Sequence, residues 1–237
     1  MLNENSDIFN NKKEDFLAAI GRGAAGAIPF VGTFVGELIT NIIPGQRIDR
    51  IAKFLDELNK RVTELEVNVQ EKMQHPENVD LFEEGCYQAC RAVTEERLNY
   101  IVNLVSNGIN DNVKEYIKHK KLLSILQELN DLEISLLVIY YKKQYEDVKQ
   151  LLSCNSSLRQ FFLKHNTNNE DICLKQACIT KLVSLNLLDA KGYYGLKWET
   201  IDNEQSNSEY ALDEDISQLG EYFLQKLGLI DDNAQRT

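Results

Sequence analysis

Six residues near the N-terminus, Gly21 to Gly26, read GRGAAG and have glycines spaced as in some phosphate-binding loops. Such a loop lies between a strand and a helix and is completed by a Lys followed by Ser or Thr. No such pair follows here, and the preceding residues KKEDFLAAI have a helical pattern. We therefore expect no nucleotide site in this segment.

The cysteines and histidines are the residues that could hold a metal ion. Cys86 and Cys90 lie four residues apart, Cys173 and Cys178 lie five apart, and the three histidines are scattered. Structural zinc sites need clustered ligands at short spacings, so we expect no metal. An odd total of five cysteines forms no disulfide framework and favours reduced thiols.

Two pairs of carboxylates, Glu83-Glu84 and Glu95-Glu96, could act as an acid and a base. Both pairs fall on the polar faces of predicted helices, where solvated side chains are the usual outcome. No Ser/His/Asp or Cys/His arrangement is recognisable. The sequence predicts no enzyme, no catalytic residue and no cofactor.

The segment that most needs explanation is 18–44, which holds five glycines among apolar residues. Glycine inside a helix costs about 1 kcal/mol relative to alanine, so close helix packing, a hinge or adaptability in lipid must offset it. Gly32 and Gly36 have the GxxxG spacing that lets two helices approach closely. The candidate residues for membrane activity or helix association are Gly21, Gly23, Gly26, Ile28, Phe30, Gly32, Phe34 and Gly36.

Length and charge argue against a constitutive transmembrane helix in this segment. The uncharged part, Gly23 to Gly36, is 14 residues long, and a span needs roughly 20. Extension to Pro44 includes Glu37, whose burial in lipid costs about 3 kcal/mol. We expect a conditional segment, packed in a bundle in one state and exposed to membrane in another; the alternative is a plain core helix without a membrane role.

Helical periodicity continues after this segment. Apolar residues recur every three or four positions from Gln46 to Met73, which predicts one long amphipathic helix. A second periodic stretch follows Pro76, and Thr94 before Glu95-Glu96-Arg97 predicts a helix N-cap within it. We predict a helical bundle over residues 13–118, after a flexible N-terminus at 1–12.

The C-terminal part changes character. Residues 121–145 predict an apolar helix or helix pair with a break at Asn130-Asp131, and 169–185 predict another helix. Alternation at 192–201 and the residues YAL at 210–212 predict two short strands before a last helix. This order resembles a winged helix, so the predicted fold class is mainly α: a bundle, then a winged-helix-like domain at 119–230 with a two-stranded hairpin, and a disordered tail at 231–237.

Charge speaks against nucleic acid as a partner. The net charge is −11, and the loop between Trp198 and Tyr210 carries four acidic residues and no basic one. A DNA-reading winged helix presents basic groups to phosphates. Protein contact or structural closure is the favoured role of this domain, with candidate partner-contact residues Lys175, Lys181, Tyr193, Tyr194 and Trp198. The polar first 17 residues are unlike a signal peptide, which predicts a cytoplasmic protein.

The runs GAIPFVGTFVGELITNIIPGQRIDRIAKFLDELNKRV and LFEEGCYQACRAVTEERLNYIVNLVSNGI resemble bacterial helical effectors of abortive infection and cell death, including bell domains. The whole plan is also similar to the abortive-infection alpha family. The resemblance implies an antiphage role in which residues 20–43 attack the inner membrane after triggering, with the membrane, a protein partner or a second copy as partners. The alternative is a soluble interaction or regulatory protein, and a DNA-binding regulator ranks third.

Overall fold

A computed structural model of the chain describes residues 47–65, 68–145, 169–189 and 215–231. The described part is mainly helical with one small antiparallel two-stranded sheet, which confirms the predicted fold class. In chain order the elements are α1 (Ile48–Glu64), α2 (Val69–Lys72), α3 (Pro76–Ala89), α4 (Glu95–Asn110), a 3-10 turn (Val113–Glu115), α5 (Tyr116–Glu128), α6 (Asp131–Tyr145), α7 (Asn169–Ser184), β1 (Leu188–Asp189), β2 (Asp215–Ile216) and α8 (Gln218–Leu227).

Contacts divide the chain into two units. The first contains the described residues up to Glu128 together with Lys226–Gly228, and the second contains those of Leu129–Gln225 and the residues from Leu229. The predicted C-terminal domain begins at residue 119, within α5, whereas α5 packs on α3 and α4 in the first unit. The difference arises because α5 buries Leu122, Leu123, Ile125 and Leu126, apolar residues that suit either domain by pattern alone.

In the first unit the apolar stripe of α1 packs on α3 and α4. Phe54 of α1 is fully buried, and its ring centroid lies 6.4 Å from that of Phe82 in α3. The side chains of Phe54 and Val105 can approach the backbone of α3 closely because residue 85 is a glycine. A Cβ there would lie 2.6 Å from Cγ2 of Val105 and 3.0 Å from Cζ of Phe54. The periodic positions Ile51, Leu55, Leu58 and Val62 are all buried, as the pattern predicted.

The predicted long helix from Gln46 to Met73 is two helices. α1 ends at Glu64, where the backbone N–H of Leu65 closes the last turn on the carbonyls of Arg61 and Thr63, and α2 begins at Val69. Buried Met73 follows α2, so the apolar period continues past the end of α1 although the helix does not. The spacing of apolar residues indicates which face of a helix is buried, but it does not indicate that the helix is interrupted.

Caps fix the next boundaries. Thr94 accepts a hydrogen bond at Oγ1 from the backbone N–H of Arg97 at 3.2 Å, so the predicted N-cap of α4 is confirmed. The predicted break at Asn130-Asp131 is also confirmed, because α5 ends at Glu128 and α6 begins at Asp131. At the start of α6, Asn130 and Glu133 each accept a hydrogen bond from the other's backbone N–H, at 2.9 and 2.8 Å.

In the second unit, α7 packs on α6 and β1, and β2 packs on α6. β1 and β2 are antiparallel, with Leu188 opposite Ile216 and Asp189 opposite Asp215. The predicted strands at 192–201 and 210–212 lie outside the described residues, and no strand was predicted at Leu188–Asp189 or Asp215–Ile216. Asn186, with φ 56°, ends the α7 turn and lets buried Leu187 and Leu188 lead directly into the strand.

Candidate functional site

A polar cluster in the described part of the first unit joins α3 to α5. Asp80 lies in α3, and its Oδ2 accepts hydrogen bonds from the Tyr116 hydroxyl at 2.5 Å and from Lys120 Nζ at 2.6 Å. Glu84, one turn after Asp80, lies 4.0 Å from the same ammonium. Tyr116 and Lys120 share a face because they are four residues apart in one helix.

The placement of α5 depends on the turn that precedes it. Asn112 accepts a hydrogen bond at Oδ1 from the backbone N–H of Lys114 at 3.0 Å and so begins the 3-10 turn. The helix starts at the next residue, Tyr116, which brings the phenol to Asp80. A short local cap therefore sets the position of residues that bond 36 positions away in the sequence.

The hydrogen bonds of the cluster shift the pKa values of Asp80 and Tyr116 in opposite directions. Burial alone would raise the pKa of Asp80, but the hydrogen bonds from Lys120 and Tyr116 outweigh it and lower that pKa below its ordinary value. The hydrogen bond to the Asp80 carboxylate raises the pKa of Tyr116 to about 12, with burial adding to the effect. Near neutral pH the phenol is protonated and the carboxylate is charged, so this pair fixes α5 against α3 rather than exchanging protons.

An open groove of about 460 Å³ lies beside this cluster, wholly within the first unit. Ile117 lines this groove. It is a large apolar residue, yet 76% of its surface is exposed. Polar and charged side chains of α3 and α5 form the remainder of the lining. The residues around the groove are Glu84, Tyr116, Ile117, Lys120, Lys121, Ser124 and Gln127.

Lysines surround Ile117 at the start of α5. Lys118 and Lys121 are exposed in the helix, and Lys114 is exposed in the preceding turn. Lys118 forms an ion pair with Glu115, whereas Lys114 and Lys121 form no ion pair within the described part of the chain. Between 113 and 121 the chain carries four lysines and one glutamate, a balance of +3 in a protein of net charge −11.

A second polar contact in the first unit is buried. His119 is fully buried, and its Nε2 lies 2.8 Å from Oδ2 of Asp111, the residue that follows α4. Lys226 Nζ is 3.8 Å from the same oxygen. His119 Nδ1 is buried without a hydrogen-bond partner. Burial lowers the pKa of His119, although the hydrogen bond to Asp111 acts in the opposite direction.

The predicted membrane-active residues, from Gly21 to Gly36, lie outside the described residues, as do Tyr193, Tyr194 and Trp198. Their predicted roles stay predictions. Lys175 and Lys181 lie in α7, where both are half-buried. Lys181 donates a hydrogen bond to Oε2 of Glu133 in α6 at 3.2 Å, a contact that the sequence reasoning did not foresee.

The described cysteines are free: Cys86, Cys90, Cys173 and Cys178. Burial raises the pKa of the Cys86 thiol well above its ordinary value and also raises that of Cys90 and Cys178. These three thiols are therefore protonated and weakly nucleophilic at neutral pH. Among the residues with described placement, no cluster of His, Cys, Asp and Glu has the arrangement of a metal site. Within those same ranges, no helix combines the length and the apolar character needed to cross a membrane.

Sequence reasoning missed the α3–α5 cluster because its partners are distant along the chain and share no local motif. Ile117 did carry a usable signal. It is an isoleucine within the basic run KEYIKHKK, one position after Tyr116 and two before buried His119. The α5 register of buried residues, at 119, 122, 123 and 126, places 117 off the core face.

Comparisons with protein-family models, curated proteins and solved structures give no match for this chain.

Proposed function

We propose that the chain is a helical effector of antiphage defence, of the abortive-infection type, that acts on the inner membrane when activated. In this proposal it resides in the cytoplasm, moves to the membrane on triggering, and performs no catalysis. The observation that carries the proposal is the uncharged stretch from Gly23 to Gly36, in which Gly32 and Gly36 are spaced for close helix association. A stretch of this length does not insert on its own, so its action depends on a trigger.

The helices that follow the glycine segment in the sequence pack on one another, which supports the scaffold part of the proposal. α1, α3 and α4 hold one another through their own side chains, including the contact of Phe54 with Phe82 and the close approach at Gly85. The residues that make these contacts all lie outside 18–44. A stable scaffold with a conditional segment is the arrangement that a triggered effector needs.

The test is induced expression of the full chain in bacteria, with cell survival and membrane potential as the measurements. We expect loss of potential and of viability with the natural sequence. Gly32→Leu combined with Gly36→Leu should abolish both effects, because bulky residues prevent the close approach of helices. The matched control is Gly32→Ala with Gly36→Ala, which keeps both residues small and should keep most of the effect.

Circular dichroism of the purified variants checks that the helical fold is retained. Equal toxicity of the leucine and alanine variants would contradict the proposal. A natural sequence that is folded, expressed and without effect on survival or potential would contradict it as well.

The alternative function is that of a soluble interaction or regulatory protein whose C-terminal part contacts another protein. The resemblance of the C-terminal sequence to a winged helix favours it, and the described residues there contain α7, the pair β1–β2 and α8. Limited proteolysis separates the two: rapid cleavage between Gly23 and Gly36 favours a releasable segment, and full protection favours a core helix. Tight, specific binding of duplex DNA at low salt would instead favour a DNA-binding regulator.

A further inference from the structure

We infer that the start of α5 is a docking surface for anionic lipid headgroups, with Ile117 as its apolar anchor. The surface consists of Ile117, Lys118 and Lys121 of α5 together with Lys114 of the preceding turn. This inference rests on the proposed membrane function and adds to it a place of first contact, which is distinct from the glycine segment.

The first argument is exposure. Ile117 is 76% exposed, and contact with water costs free energy in proportion to the apolar area exposed. Ile117 and Lys121 stand four positions apart in the same helix and therefore project from one face. Lys118 adjoins them, and Lys114 lies about one turn earlier. An apolar side chain surrounded by lysines is the pattern of surfaces that lie in the headgroup layer of a membrane.

The second argument is charge complementarity. The three lysines of the surface and the neighbouring Glu115 give a balance of +2, against a net charge of −11 for the whole chain. Lys114 and Lys121 are exposed and form no ion pair among the described residues, so their charges are available to phosphates. The N-terminal end of α5, which begins at Tyr116, adds the partial positive charge of the helix dipole.

The third argument is rigidity. Tyr116 and Lys120 are both held by Asp80, at 2.5 and 2.6 Å, one residue before Ile117 and one before Lys121. His119, between the lysines, is fully buried. The helix that carries the docking residues is therefore fixed by its neighbours, and little conformational entropy is lost when they meet a surface.

The experiment measures co-sedimentation of the full chain with vesicles of phosphatidylcholine, alone or mixed with phosphatidylglycerol. We expect binding to the mixed vesicles only, weakened by added salt. Lys121→Gln should lower the partition coefficient about fivefold, and Ile117→Ser should lower it about tenfold. Val93→Ser is the matched control, because Val93 is 83% exposed in the loop before α4 and lies outside the docking surface.

The leucine variant of Gly32 and Gly36 separates docking from membrane damage. If it binds vesicles as the natural chain does, while toxicity is lost, the docking surface and the proposed function both hold. If Ile117→Ser and Lys121→Gln bind as well as the natural chain, the docking inference is wrong even where toxicity persists. If the natural chain docks through these residues but harms no cell, the docking surface holds and the proposed function fails. Binding of a polyglutamate peptide without binding of mixed vesicles would overturn the lipid assignment in favour of an acidic protein partner.

Discussion

Lys181 of α7 is bound to Glu133 of α6, with Nζ 3.2 Å from Oε2. Glu133 is almost completely buried, at 4% exposure, and the same oxygen accepts the backbone N–H of Asn130 at 2.8 Å. One carboxylate therefore both caps the start of α6 and ties α7 to it. Lys181 was proposed from sequence as a partner-contact residue, which stays a prediction; in the structure its ammonium contacts Glu133 and is partly exposed.

The first prediction concerns this pair. Replacement of Glu133 by alanine should lower the free energy of unfolding by about 2 kcal/mol, because the backbone N–H of Asn130 loses its acceptor and Lys181 loses its counter-charge. The measurement is urea denaturation followed by circular dichroism. Glu64→Ala is the control: its pair with Arg61 is exposed, so it should change stability by less than about 0.5 kcal/mol.

A double-mutant cycle of Glu133→Gln and Lys181→Met isolates the ion pair from the cap. We expect a coupling energy of about 1 kcal/mol, since Lys181 retains partial exposure to solvent. Strict additivity of the two changes would show that the cap alone stabilises this junction.

The second prediction concerns overpacking at Gly85. Gly85→Ala should destabilise the first unit by about 1–3 kcal/mol, although alanine favours a helix, because the new Cβ would lie 2.6 Å from Val105. In a Val105→Ala background the penalty should shrink by about 1 kcal/mol, as measured by denaturant unfolding.

The comparison is Gly220→Ala, where Cβ would lie 2.2 Å from the backbone oxygen of Leu187. Replacing Ile216 by a smaller residue should not restore the stability of Gly220→Ala, because the contact with the backbone oxygen of Leu187 would remain. A Gly85 penalty unchanged by Val105→Ala would contradict the prediction.

The sequence predicted the features that depend on local chemistry. The buried positions of α1, the cap at Thr94 and the break before Asp131 each follow from a residue type acting on its neighbours. The end of α1 at Glu64 was missed, because an apolar period can continue through an interruption of the helix. Phe54 is not one of the periodic positions Ile51, Leu55, Leu58 and Val62. It is nevertheless fully buried, because Gly85 leaves room for its ring.

Long-range polar contacts were beyond reach for a different reason. Asp80 and Tyr116 are 36 positions apart, and Glu133 and Lys181 are 48 apart. Nothing in a carboxylate's own neighbourhood indicates which distant donor it meets, because that choice depends on how the helices pack. The candidate surface around Ile117 was predictable in part, since an isoleucine within a basic run and off the core register is visible in the sequence.

The third prediction concerns the phenol of Tyr116. Asp80→Asn should lower the pKa of Tyr116 from about 12 towards its ordinary 10.0, because the neutral amide no longer stabilises the protonated phenol. The raised pKa stabilises the fold below about pH 10, and this stabilisation is lost as the pH rises towards about 12. NMR of ring-labelled tyrosine at increasing pH measures the change. Glu84→Gln is the control, since Glu84 approaches Lys120 at 4.0 Å and does not accept the Tyr116 bond. A Tyr116 pKa that stays near 12 in Asp80→Asn would contradict the assignment.

The fourth prediction concerns His119 and acid. Burial lowers the pKa of His119 in the folded protein, with Asp111 and Glu115 acting to raise it and Lys226 acting to lower it. The unfolded chain therefore binds the proton more readily, and stability should fall as the pH drops below about 6.5 towards the folded value. Unfolding midpoints in urea, measured from about pH 7.5 to about pH 5, should show this loss of stability.

His119→Gln should make stability less dependent on pH in that window, because it removes the titrating group. His75→Gln is the matched control, since His75 is exposed before α3, and it should leave the dependence unchanged. An equally steep loss of stability in His119→Gln would assign the acid sensitivity to other groups.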